Sequence, residues 1–293
     1  MTERIAIDAE QVRRLLASQF PDLAELPLRA VYPGGWDNRT FRLGQALAVR
    51  IPSAQRYADQ VLKEHRWLPG LGAALPLSIP QPVAIGAPGE GVPWSWSIRT
   101  WLAGAIPSRT ADGLGPRIAK ALGTWLVALH GVDASHGPPA GPHNFHRGGS
   151  LRVYEDEVLG ALRVLDGQCR AEALRAFWLD ARDTKWGSRP VWVHGDVAPT
   201  NLLATDGELT GVIDFGQVGV GDPACDLAIG WTSMNPSSRD VFRRTVDVDD
   251  DTWMRGRAWA LWKALITASG HDPNTAGMEA AWRVIRDLEA DRA

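Results

Sequence analysis

Cysteine is nearly absent. Cys169 and Cys225 are the only two thiols in 293 residues, too few for a disulfide framework and not spaced as a zinc site. An excess of positive charge is missing too. Lys and Arg total 31 against 34 Asp and Glu, a formal net charge of −3, which excludes the electrostatic footprint of a nucleic-acid binder. No apolar run is long enough to cross a bilayer, and the N-terminus lacks a basic head followed by an apolar stretch. These absences predict a soluble, cytoplasmic protein with neither nucleic acid nor membrane as partner; they leave oligomeric state open. Phenylalanine is scarce, six against fourteen tryptophans, so most indole rings are expected in the core or between helices. The 45% hydrophobic content is that of a globular chain, and the length suits one large or two packed domains.

What is present concentrates in residues 191–228. An apolar strand, Val191-Trp192-Val193, stops at His194-Gly195-Asp196, and a loop with Pro199 and Asn201 follows. Leu202-Leu203 and Val212-Ile213 read as the arms of a short hairpin turning at Asp206-Gly207, and the second arm ends in Asp214-Phe215-Gly216. Asp196, Asn201 and Asp214 thus sit at the ends of adjacent apolar elements. An Asp and an Asn five residues apart, with a second Asp at a hairpin end, suit phosphoryl transfer. One carboxylate orients the attacking hydroxyl, while the other and the amide oxygen hold Mg²⁺.

His194-x-Asp196-x₄-Asn201 with Asp214-Phe215-Gly216 resembles the catalytic and metal loops of protein kinases. His-Gly-Asp in place of His-Arg-Asp, with Gly221-Asp222-Pro223-Ala224-Cys225-Asp226 downstream, resembles the aminoglycoside phosphotransferase family of small-molecule kinases. The resemblance implies an α+β, protein kinase-like two-lobe fold. Residues 1–102 would form an antiparallel-sheet nucleotide-binding lobe, and residues 103–293 a larger, mainly helical catalytic and substrate-binding lobe. It implies ATP, or GTP, and Mg²⁺ as cofactors, Asp196 as catalytic base, Asn201 and Asp214 as metal ligands, and Asp226 as a brace of the catalytic loop.

In the first lobe the apolar spacing predicts a helix over 8–20 with Asp8 as N-cap. Strands are expected over 28–32, 40–43, 46–52, 80–86 and 94–101. The connection Pro33-Gly34-Gly35-Trp36-Asp37 is either an ordinary hairpin or, by the resemblance, the loop covering the nucleotide phosphates. Arg50 is embedded in an apolar strand, and Glu64 shares a stripe with Val61 and Leu68 on a helix expected over 54–71. Burying either charge alone is costly, so pairing is expected. The resemblance makes Arg50 the phosphate-binding cation held by Glu64, with Arg replacing the usual Lys; Lys63 and Arg42 are alternatives. Backbone groups near Thr100 and Leu102 are implied to read the adenine edge.

Helices are expected over 113–130, 151–165, 171–181, 251–269 and 275–290, with a loop over 131–150 and a helix starting at Gly221-Asp222-Pro223. His136, His143 and His146 lack metal-site spacing, and His130 is read as a helix cap. Cationic acceptors in the resembling family are gripped by acidic residues, for which Glu155, Glu157, Asp247, Asp249, Asp250 and Glu289 are candidates; the alternative is a solvated charged face. The expected function is transfer of the γ-phosphoryl group of ATP to a hydroxyl of a small molecule, an aminoglycoside first. A macrolide, amino alcohol or sugar kinase of the same fold, or a nucleotide-binding pseudokinase, are the rivals.

Overall fold

The computed structural model describes residues 4–32, 34–107, 113–270 and 277–290. Pro33 of the glycine connection and the start of the helix expected over 275–290 lie outside the described residues.

The chain begins with α1 (Ala9–Gln19), started by a reciprocal cap: Asp8 accepts from the Gln11 N–H at 2.8 Å, and the Gln11 side chain accepts from the Asp8 N–H at 3.1 Å. Pro21 opens a further turn, α2 (Pro21–Ala24). Then come β1 (Leu28–Ala30), β2 (Asn38–Leu43), β3 (Leu47–Pro52), α3 (Asp59–Ala74), β4 (Pro82–Gly86) and β5 (Trp96–Thr100). The strands form one antiparallel sheet in the order β1-β2-β3-β5-β4. Its two faces differ in kind. Phe41, Val49, Ile51, Trp96 and Ile98 join Val12, Leu15 and Leu16 of α1 in one apolar cluster. Arg50 pairs with Thr40 and Ser97 across the ladder, and Ala48 with Arg99, so these residues share the opposite face. That face receives α3.

The expected 54–71 helix is divided. Ala54 is extended and Gln55–Tyr57 forms a 3-10 turn before α3. The reason lies in Ser53, whose N–H and hydroxyl bond the carbonyls of Asp37 and Trp36 at 2.8 Å each, pinning the strand exit to the glycine loop.

The larger lobe contains α4 (Pro116–Gly131), α5 (Glu155–Val164), α6 (Ala171–Asp183), β6 (Val191–Val193), β7 (Leu202–Thr205), β8 (Glu208–Val212), β9 (Gly219–Gly221), α7 (Ala224–Leu227), α8 (Ile229–Thr232), α9 (Pro236–Val246), α10 (Asp250–Ala268) and α11 (Met278–Ala290). Its core includes Trp125, Trp178, Phe215 and Phe242, all fully buried. Leu68 and Leu71 of α3 belong to this second cluster. The helix that carries Glu64 therefore packs its apolar residues into the core of the larger lobe, while Glu64 itself meets Arg50 and Arg99 of the sheet. His130 does not cap through Nε2, which is buried without a partner, and burial pushes the pKa of the ring down to about 4. Among the described residues no helix is long and apolar enough to cross a membrane.

Candidate active site

Strand β6 pairs with β9 and ends where His194 turns inward, its ring 4.7 Å from that of Phe215 and 6.1 Å from that of Trp125. His194 Nε2 meets the Ile213 carbonyl at 3.0 Å, which makes Nε2 the donor. Nδ1 is then free to accept from the Asp196 N–H at 3.2 Å. Below the turn lies Asp226, fully buried, accepting from the N–H groups of His194 and Gly195 at 2.8 Å each. Burial pushes the Asp226 carboxyl up, and the His194 ring and the two N–H donors pull it part of the way back. Gly195 has φ +83°, and a Cβ there would stand 2.5 Å from the Gln217 carbonyl oxygen. Only glycine fits. Asp222 supports the next turn, accepting from the Ala224 N–H at 3.0 Å and from buried Arg255 at 2.6 Å.

Asn201 closes the loop. Its Nδ2 donates to the Asp196 carbonyl at 2.8 Å and to Asp196 Oδ2 at 3.0 Å, while its own carbonyl accepts from the Ile213 N–H at 2.9 Å. The loop of residues 194–201 and the hairpin end are thereby joined just before Asp214. The hairpin itself turns as the sequence predicts, with Asp206 and Gly207 at φ +52° and +79° between Thr205 and Glu208. Asp214 has φ +68° and leads into the 3-10 turn Phe215–Gln217, with Phe215 fully buried beneath it.

From the sheet side Arg50 reaches Asp214 Oδ1 at 2.8 Å and Glu64 Oε1 at 3.4 Å. Burial alone would raise the Asp214 carboxyl, and the adjacent Arg50 guanidinium more than offsets it, leaving the group below its ordinary value. Glu64 is 4% exposed, so the solvent-facing alternative does not hold. The alternative cations lie elsewhere. Arg42 stacks over Trp101 at 5.2 Å, and Lys63 bonds His143 Nδ1 at 3.0 Å.

The side chains present suit a hard divalent cation. With Asn201 Nδ2 committed to Asp196, Asn201 Oδ1 and Asp214 Oδ2 form no hydrogen bond among the described residues. Among the described residues no group of three or more His, Cys, Asp or Glu is placed to hold a metal ion.

The other expected nucleotide contacts belong to the sheet lobe and its exit. Gly34 and Gly35 are exposed in the β1–β2 connection, with the Gly35 carbonyl held by Arg39 at 3.1 Å. Thr100 is fixed to Gln81 through both its N–H and its hydroxyl, and the backbone of Leu102, just beyond β5, forms no hydrogen bond within the described residues. The acidic acceptor candidates do not join the cluster. Glu155 pairs with Arg182, Glu157 accepts from the Trp262 indole at 2.8 Å, and Glu289 accepts from the Arg170 N–H at 2.6 Å. Asp247 is exposed where α9 ends, Asp249 caps α10 through Thr252, and Asp250 pairs with Arg243.

Two residues were not singled out from the sequence. Arg99 of β5 binds both oxygens of Glu64. Asp37, from the glycine loop, is pushed up to about 6 by burial and by the Asp214 carboxylate, against a hydrogen bond from Tyr57. No local pattern marks either; both matter through residues distant in the chain.

The sequence profile of the phosphotransferase enzyme family, APH, matches residues 29–265. An aminoglycoside 3'-phosphotransferase of Escherichia coli is 26% identical over 158 residues, covering 51% of this chain and 56% of that protein. The chain thus spans about half the length of the curated relatives it matches. The solved GDP complex of aminoglycoside 2'-phosphotransferase-IIIa superposes with a TM-score of 0.71 at 17% identity, covering 98% of this chain and 100% of that one. A macrolide 2'-phosphotransferase from Brachybacterium faecium superposes with a TM-score of 0.63 at 20% identity, over 95% and 97%. At such identities the likeness is one of fold, the kinase-like pairing of a sheet lobe with a helical lobe.

Proposed function

This chain belongs to the phosphotransferase enzyme family, and on that premise we propose that it moves the γ-phosphoryl group of ATP or GTP to a hydroxyl of a small molecule. The observation that supports this most directly is the tie of Asn201 to Asp196 on one side and, through Ile213, to the Asp214 turn on the other. In this reading residues 1–102 bind nucleotide and residues 103–293 carry the catalytic loop and receive the acceptor.

Asp196 accepts a hydrogen bond from the acceptor hydroxyl and takes its proton; Asn201 holds that carboxylate in one orientation. Mg²⁺, when bound by Asn201 Oδ1 and Asp214, neutralises charge on the phosphates. Arg50 supports the same phosphates, held by Glu64 behind it. Gly34 and Gly35 bring backbone N–H groups over them. The Leu102 backbone reads the base edge. Since the transition state is loose, positioning and charge neutralisation supply most of the acceleration.

The acceptor assignment is an aminoglycoside, as in the names of the relatives. A more hydrophobic, macrolide-type acceptor with fewer positive charges is the second reading, favoured by the internal partners of Glu155, Glu157 and Glu289. Incubation with ATP or GTP, Mg²⁺ and a panel of aminoglycosides and macrolides distinguishes them by the phosphoryl mass gain on the acceptor. No gain on any hydroxyl compound, with nucleotide bound, would leave a pseudokinase and sink the proposal.

A further inference from the structure

Resting on that reading, the Arg50–Asp214 contact raises a question of charge. Arg50 has to meet the phosphates and Asp214 the cation, yet the two are paired with each other at 2.8 Å. When the nucleotide loosens that pair, Glu64 still needs a cation, because it is buried to 4% exposure on α3. Arg50 serves it weakly, through one nitrogen at 3.4 Å. Arg99 serves it fully, with Nη1 at 3.2 Å from Oε1 and Nη2 in close contact with Oε2.

Arg99 lies one rung from Arg50 on the same sheet face, since Ala48 pairs with Arg99 and Arg50 with Ser97. It is 5% exposed, and its Nε is buried without a partner. An apolar side chain would fill that place without burying an ion. With Arg99, two guanidinium groups face two carboxylates. Without it, one guanidinium is shared between Glu64 and Asp214, and both oppose its release to a third anion.

We infer that Arg99 is a positioning residue for nucleotide binding: it takes charge of Glu64 and so frees the Arg50 guanidinium for the triphosphate. The role explains why an arginine can stand at position 50. Its forked nitrogens span Glu64 and Asp214, and Arg99 keeps the first of these from holding it back.

The test is a variant series read by binding of a fluorescent ATP analogue in the presence of Mg²⁺, with steady-state kinetics alongside. Arg99→Met weakens nucleotide binding by about 10- to 100-fold, the scale of one charge-assisted hydrogen bond, and leaves the acceptor KM unchanged. Arg99→Lys recovers part of that affinity. The double variant Arg99→Met/Glu64→Gln, which has no buried carboxylate left to compete for Arg50, binds nucleotide more tightly than Arg99→Met. A purely structural Arg99 gives the opposite pattern, with the double variant no better than the single one, and that result overturns the inference, as does wild-type affinity in Arg99→Met. Where Arg99→Met fails to fold, the same comparison is made with Arg99→Lys, which binds nucleotide more weakly than wild type and more weakly than Arg99→Lys/Glu64→Gln; equal affinities of the two variants overturn the inference. Wild-type protein that binds nucleotide but phosphorylates no acceptor would fail the functional reading alone.

Discussion

Asp226 carries no chemistry of its own, yet its removal should be among the most damaging single changes. It is fully buried, and its two oxygens accept from the backbone N–H groups of His194 and Gly195 at 2.8 Å each. In Asp226→Ala both donors are orphaned in the core. Each orphaned group costs about 1–3 kcal/mol, so the variant should lose roughly 2–6 kcal/mol of stability. Asp226→Asn keeps one acceptor and presents an NH₂ group to the other donor, and should lose about half as much. The catalytic consequence is separable from the loss of stability. The turn that Asp226 holds places Asp196, the proposed base, and a shift of about 1 Å in such a group costs on the order of a hundredfold in rate. Because Asp226 contacts neither Arg50 nor the glycine loop, the nucleotide KM should stay close to wild type while kcat falls. Denaturant unfolding gives the first quantity and steady-state kinetics the second. A folded Asp226→Asn with wild-type midpoint and wild-type kcat would refute the reasoning.

Gly195→Ala tests the same turn from above: φ +83° alone costs more than about 1 kcal/mol for alanine, and the new Cβ would meet the Gln217 carbonyl at 2.5 Å, so unfolding midpoint and kcat should fall together. Asp37 gives a pH signature. Its folded value of about 6 lies above the ordinary 3.8, so the folded state holds the proton more tightly and stability is withdrawn as pH rises from about 4 through about 6. Asp37→Asn should therefore melt at higher temperature than wild type at pH 7 and at nearly the same temperature at pH 4; a difference that grows toward low pH would contradict the assignment.

The parts of the site that the sequence discloses are those whose partners are close along the chain. Asp8 and Gln11 cap α1, Asp206 and Gly207 form the hairpin turn, and Asp196 and Asn201 face each other across five residues. Glu64 was legible because a carboxylate on the Val61–Leu68 stripe must be buried and must find a cation. Arg99 was not legible. In Trp96-Ser97-Ile98-Arg99 the alternation reads as an apolar face and a solvent face, and only the placement of α3 over the sheet converts the second into an ionic interior. Asp37 was hidden for a similar reason: the carboxylates that perturb it, Asp214 and Asp196, lie in the other lobe. Helix starts shifted where a side chain competed for the backbone, as Ser53 does before α3, or where the first turn tightened, as at Leu151–Tyr154 before α5.

On the proposed reading, Asp214 is the carboxylate through which a divalent cation and nucleotide are bound together. Calorimetric titration of ATP into the protein, with and without Mg²⁺, measures this directly in wild type and in Asp214→Asn. Mg²⁺ is expected to tighten binding in wild type and to have little effect in the variant. Equal tightening in both proteins would contradict that role for Asp214.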